Sequence, residues 1–427
     1  MRAHEYDVIT PYHLHALRSK REIVAFLLQV VLGYSDMLSD ILCAVLLACS
    51  STDSSEGGDG DVQAPILLGL TALFFVIQTS FIVLSIDSTQ MEQISSYLIG
   101  AGGGGAPVSY TYVVIASILQ LRLALESIIS ISIGMRTVGF CIVDLIQCAL
   151  QSFLSSLVQI FLLIAYQYLY KASSSSRLFQ SDTAIAVFFC SITISILRSS
   201  WTYSNLLRIN DGEQWWPGLF GAVLFFYFAA EKLFRLLYFS LILIYLLSMR
   251  KEEDVHSSSS PTVVSYLLVA VFILVSLCLR YLVVRYSHQR IDRTQRFSSS
   301  REYCYLVGKL LLSLTTSHNW IGEHVLTARL IGLELIETIA YFPLFIWVEQ
   351  VTQYESHRFD WQGVLPSLFY LYSVKTCLLL GLLSLKAKVR HMLVNHLGWL
   401  LRELMVVLGG IAMVWCILIL LTFVAIK

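Results

Sequence analysis

The chain has 427 residues, of which 56% are hydrophobic and only 14% charged, and its mean hydropathy is +0.71. Soluble domains carry about a quarter charged residues, so the shortfall points to a bilayer, where a mid-membrane charge is expensive. Lys plus Arg equals Asp plus Glu, so the net charge is zero and no global field invites a nucleic-acid partner.

The first 22 residues are polar and read as a cytoplasmic N-terminal segment. They are not a cleavable signal peptide, because the apolar run that follows is too long for one and carries two aspartates. A membrane-crossing helix needs about 20 apolar residues. Runs that qualify cover 23–49, 65–86, 110–133, 138–168, 183–207, 217–247, 263–284, 325–348, 364–385 and 404–426. A further apolar stretch, 303–316, is short and reads as re-entrant or interfacial. These runs are far longer than the ~10-residue alternating strands of a membrane barrel. The expected fold is therefore all-α: one polytopic membrane protein of about eight to ten helices, with re-entrant segments allowed.

The loops are short and polar. A Ser/Gly/acidic stretch covers 51–61, four consecutive glycines lie in 100–107, and serine runs occupy 257–260 and 298–300. The glycines lack the Gly-Lys-Ser/Thr ending that a phosphate cradle needs and read as flexible connections. The serine runs could accept phosphate, though a solvated linker is the simpler reading.

Arg2, Arg18, Lys20 and Arg21 place the N-terminus in the cytoplasm by the positive-inside rule. Asp53, Glu56, Asp59 and Asp61 suit an outer loop. The basic loop with Arg285, Arg290, Arg293, Arg296 and Arg301 should return to the cytoplasm, yet seven apolar runs precede it. Either one of them does not cross, or the rule fails. The expected re-entrant segment is 138–168, because only four residues separate it from the preceding run and its polar stripe suits a protein-buried path.

Polar residues inside spanning helices are a functional hypothesis by default. Asp36 and Asp40 lie four apart on one face of the first run, where two carboxylates repel unless cations, donors or water are near. In the fourth run Asp144, Gln147, Gln151, Ser155 and Gln159 make one stripe at spacings of three and four. The bland reading is interhelical hydrogen bonding, worth only ~0.6 kcal/mol per pair. Five such groups exceed what packing needs, which favours a hydrated groove. Glu231 and Arg235 have the spacing of an intrahelical ion pair, with Lys232 beside them, and Arg122 and Glu126 repeat it. Arg198, Arg280, Glu334 and Glu337 complete the buried charges. Asp36, Asp40, Gln147, Gln151, Gln159, Glu231 and Arg235 are expected to converge inside the bundle.

No hydrolase or metal pattern emerges. The chain has no GxSxG, HExxH, CxxC or glycosylation sequon, and its cysteines sit mainly in apolar runs as packing residues. We therefore expect no enzyme, no metal and no cofactor.

Several segments together resemble one family. The first run reads YSDMLSDILCAVLLA, the third holds ILQL, and the fourth reads QCALQSFLSSLVQIF. The fifth ends SILRSSWTYSNLLR, the sixth holds AAEKLFR, and the eighth reads ELIETIAYFPLFIW. In this order they resemble the XK-related family of membrane proteins, whose members include phospholipid scramblases. The resemblance covers about 23–391, which it implies is the main membrane domain, leaves 392–427 as an additional C-terminal membrane helix, and aligns Asp36 and Asp40 with a D-x-x-x-D pair. It sets Gln147 and Gln151 where that family has glutamates, Gln159 on a glutamine, and Glu231, Arg235 and Glu337 on family charges. Leu154 replaces a proline, Ser155 a glutamine and Thr338 an asparagine.

The resemblance implies phospholipid scrambling at the plasma membrane, with phospholipids as substrate and the N-terminus cytoplasmic. The lipid-path candidates are Asp36, Asp40, Asp144, Gln147, Gln151, Ser155, Gln159, Glu231, Arg235 and Glu337. Two alternatives stay open. One is a secondary transporter or channel for a small polar solute; the other is a non-transporting partner of another membrane protein or of a second copy. The family's activation by caspase removal of a C-terminal tail is not expected, because the sequence ends at Lys427 directly after an apolar run.

Overall fold

The computed structural model describes residues 17, 20–52, 63–84, 110–165, 182–210, 219–253, 278, 280–282, 368 and 370–378. The fold there is all-α. The helices are α1 (Lys20–Thr52), α2 (Gln63–Leu84), α3 (Tyr110–Ile118), α4 (Arg122–Ile133) and α5 (Val138–Ile146). They continue with α6 (Ser152–Ala165), α7 (Asp182–Asn210) and α8 (Leu219–Glu253). A π-helical turn, Gln147–Gln151, joins α5 to α6 into one long helix. The expected segments 303–316, 325–348 and 404–426, the basic loop 285–301, and Glu334 and Glu337 lie outside the described residues.

Three helices among the described residues are long and apolar enough to cross a membrane: Lys20–Leu46, Gly139–Ile164 and Thr183–Leu206. A bent pair, Thr111–Ile118 with Arg122–Ile133, makes a fourth if it counts as one span. This is compatible with an integral membrane protein. The chain divides into two compact units, Met1–Leu241 with Leu371–Leu378, and Ile242–Tyr370 with Leu379–Lys427. Nearly all described residues belong to the first; the second contains the last turns of α8 and a buried Arg280.

Burial in the first unit is inverted relative to a soluble protein. Val24, Leu38 and Phe226 are 60% exposed or more, whereas Asp36 is 0% and Arg198 1% exposed. Lipid tails are as apolar as leucine, so burying an apolar side chain between membrane helices gains little. An ion facing lipid, by contrast, costs about 2.5–3.5 kcal/mol. The helices therefore turn their charges and amides toward one another and leave leucine, valine and phenylalanine outside. Small apolar clusters fill the remaining space. Phe26, Ile82, Leu123, Phe140 and Val143 pack together, and Phe153, Ile160, Ile192 and Leu236 form another group.

The break in the third run corrects the expectation that 138–168 would be re-entrant. The helix direction changes by 116° between α3 and α4, and Gln120 sits in the turn at φ 58°. The two halves are about 13 and 18 Å long, and neither alone crosses ~30 Å of hydrocarbon. The fourth run instead forms one helix, Gly139–Ile164, long and apolar enough to cross, because its polar stripe finds partners across the bundle without leaving helical geometry.

The α4–α5 connection has ordinary turn chemistry. Gly134 ends α4 at φ 71°, a left-handed conformation that costs glycine little, and the Met135 N–H bonds the Ser130 carbonyl. Thr137 caps α5 by accepting from the Phe140 N–H at 3.1 Å.

Candidate functional site

The site begins with Asp36 on α1. Gly33, one turn earlier, allows the close approach that places it: a Cβ there would lie 3.3 Å from Nη2 of Arg198. Arg198 on α7 sends Nη1 to Asp36 at 2.9 Å and Nη2 to Asp144 at 3.2 Å, and Nη2 also donates to Gln147 Oε1 at 2.7 Å. One planar guanidinium thus ties α1, α5 and the π turn to α7, using the fork that lysine lacks. Ser152 and Ser195 add hydroxyl bonds to Asp36.

Asp144 carries a second layer. Thr202 donates to its Oδ2 at 2.8 Å, and Gln29 donates to the same oxygen. Oε1 of Gln29 accepts from Arg136 at 2.9 Å, and the Arg136 guanidinium stacks 5.2 Å from the centroid of Phe26 and 5.9 Å from that of Phe140. Arg136 precedes the span, and burial lowers its guanidinium to about 10, which leaves it charged at neutral pH.

Gln147 Nε2 continues sideways to Oε1 of Gln120 at 3.1 Å. That oxygen also accepts from Gln78 at 3.1 Å, and Gln120 Nε2 donates to Thr79 at 3.2 Å. These bonds hold the bend between α3 and α4 against α2 and the π turn, which accounts for the unusual backbone angle at Gln120.

Asp40, one turn beyond Asp36, has different company. It accepts from Ser155 at 2.6 Å, Gln159 at 3.0 Å, Ser191 at 3.3 Å and Gln151 at 3.4 Å. Gln159 Nε2 also lies 3.0 Å from the Ser191 hydroxyl. Lys232 on α8 enters beside these groups and donates to the Ser195 carbonyl at 2.9 Å and the Ser199 hydroxyl at 2.6 Å.

The structure therefore gathers Asp36, Asp144 and Gln147 around Arg198, and Gln151, Ser155 and Gln159 around Asp40; the two groups meet through Ser191, which donates to Ser39, and Ser39, which donates to the Asp36 carbonyl. Glu231 and Arg235 are buried and pair with each other at 3.4 Å along α8. Arg122 and Glu126 pair likewise at 3.7 Å on α4, where Thr137 donates to Glu126 at 2.8 Å. Convergence thus holds for the α1 and α5–α6 residues, and Glu231 and Arg235 pair with each other on α8. Glu337 lies outside the described residues. Sequence reasoning missed Gln29, Gln78, Gln120 and Arg136, and the hydroxyls of Ser152, Ser191, Ser195 and Thr202. Gln29, Gln78 and Gln120 were visible as lone amides in apolar runs; the hydroxyls carry no signal, since serine and threonine are common in membrane helices.

Chemically the network is a polar column of carboxylates, amides, hydroxyls and one guanidinium. From Asp144 to Gln159 it follows one helix for fifteen positions, about 22 Å of rise. Among the described residues no group of His, Cys, Asp and Glu could hold a metal ion. Comparison with protein-family models returns no match, and comparison with the curated proteins returns none either.

Proposed function

We propose that this protein moves phospholipids between the leaflets of a membrane, the least demanding use of such a column being to shelter a charged headgroup while acyl chains stay in lipid. The observation that carries this reading is the length of the column: about 22 Å against ~30 Å of hydrocarbon. A headgroup crosses a bilayer slowly because nothing in the core replaces its water. Carboxylates, amides and guanidinium groups replace it, and no covalent step or energy source is needed for movement down a gradient. The resemblance to the XK-related family points the same way, and membership of that family is part of the proposal.

The bend between α3 and α4 supports the orientation expected from charge. If the third run turns back, six crossings rather than seven precede the basic loop 285–301. Loop and N-terminus then share the cytoplasmic side of the plasma membrane. The same broken helix favours a second reading, a secondary transporter, because discontinuous helices line solute sites in that class.

The test is reconstitution of the full chain into vesicles with a fluorescent phospholipid, followed by an impermeant reductant. Scrambling exposes nearly all of the label, and protein-free vesicles expose about half. Protection equal to the protein-free control, with uptake of a polar solute, replaces this reading with the second.

A further inference from the structure

Three carboxylates lie in the polar column, and two of them share one cation. Arg198 holds Asp36 at 2.9 Å and Asp144 at 3.2 Å. Among the described residues no cation stands within ion-pair distance of Asp40. Lys232 is directed to Ser195 and Ser199 instead. A buried carboxylate without a counter-ion is costly, and here four neutral donors take the counter-ion's place: Gln151, Ser155, Gln159 and Ser191.

Two of those donors are half used. Oε1 of Gln151 and Oε1 of Gln159 have no hydrogen-bond partner, and the side chains are 8% and 3% exposed. Each oxygen shares its carbon with the nitrogen that holds Asp40, so a half-turn of the amide brings oxygen to the same place. The two amide oxygens then stand beside the Asp40 carboxylate, Gln151 at Oδ2 and Gln159 at Oδ1, with the Ser155 and Ser191 hydroxyls also at Oδ1. Three acceptors match the three N–H donors of a primary ammonium. A quaternary ammonium has no N–H to give and is held by aromatic faces.

The Asp40 end is also where the column nears the surface. Asp36, Ser152 and Ser195 are fully buried, whereas Ser155 and its neighbours Leu154 and Leu157 are only half-buried.

We propose that Asp40, Gln151 and Gln159 form a binding site for a primary ammonium group, carried by the headgroup of an aminophospholipid. The headgroup source rests on the lipid-path reading; a free small amine offers the same chemistry.

The experiment uses the full chain in vesicles holding matched fluorescent phosphatidylethanolamine or phosphatidylcholine. Phosphatidylethanolamine moves faster by about tenfold, the worth of one charge-assisted hydrogen bond. Stepwise N-methylation of its headgroup lowers the rate in the unmodified protein, so this arm needs no variant. Asp40→Asn and Gln159→Leu bring the ratio of the two rates toward one. Equal rates for the two lipids and a flat methylation series overturn the inference and leave the lipid path standing. If neither lipid moves, the lipid path fails, and the melting temperature of the purified protein with ethanolamine decides the site. A rise that Asp40→Asn abolishes assigns the site to a free amine. No rise, or an equal rise with sodium or tetramethylammonium, overturns it.

Discussion

Arg198 reaches Asp36 at 2.9 Å across a sequence separation of 162 residues, and both side chains are sealed from the surface. In hydrocarbon this bond outweighs any single apolar contact, because the alternative for either partner is an uncompensated charge. It fixes how α7 lies on α1.

Removal of Arg198 should be the most damaging single change in the column. Arg198→Ala leaves Asp36 and Asp144 buried without their cation, a loss of about 3–5 kcal/mol. Arg198→Lys keeps the charge but not the fork, and falls between that variant and the unmodified protein. Melting of purified protein followed by size exclusion measures both; a melting curve for Arg198→Ala that overlays the unmodified one refutes the bridge.

Three glycine-to-alanine changes separate close packing from helix propensity. A Cβ at Gly139 would sit against the Glu126 carboxylate, and one at Gly33 would meet Leu123 Cδ2 at 2.9 Å. Nothing lies within 4 Å of a Cβ at Gly69. Gly139→Ala and Gly33→Ala should each lose about 1–3 kcal/mol. Gly69→Ala should be neutral or gain up to ~1 kcal/mol from helix propensity. Equal behaviour of all three would show that these helices do not approach as described.

Glu231 and Arg235 should behave as a coupled pair. Either single change to alanine leaves a buried charge and lowers expression or stability by about 3–5 kcal/mol. The double change should cost less than the sum, with a coupling of about 0.5–3 kcal/mol in a double-mutant cycle. Strict additivity would place the pair in contact with water.

Cysteines introduced singly in the 285–301 loop should resist an impermeant thiol reagent on intact cells and react after permeabilisation. Labelling of intact cells would restore seven crossings before the loop and make the α3–α4 bend a kinked span.

The polar stripe was legible because its residues recur at spacings of three and four along one apolar run. Asp144, Gln147, Gln151, Ser155 and Gln159 could face only one another's partners. The identity of those partners was not legible. Arg198 stands alone in the fifth run, and nothing local says that it reaches both α1 and α5. The break at Gln120 was also hidden. The segment IASILQLRLAL has no proline or glycine, and its bend is held by Gln78, Thr79 and Gln147, which come from elsewhere in the chain. The α4–α5 turn sits at the other extreme, since Gly134 and Thr137 announce it directly.

The π turn at Gln147–Gln151 has a mechanical consequence. Its Ser152 N–H bonds the carbonyl five residues back, so the helix carries one residue more than a regular ladder accommodates. Such a surplus behaves like a dislocation in a crystal. Shifting it along the axis needs only local exchange of hydrogen bonds, and each residue it passes rotates by about 100°. In its present place it sets Gln147 toward Gln120 and Arg198 while Gln151, Ser155 and Gln159 meet Asp40. Moved one turn toward α6, it would swing Gln151 out of line with Asp40 and Ser152 out of line with Asp36. The position of a single surplus residue thus sets the aim of both ends of the column at once, in a helix that never unwinds.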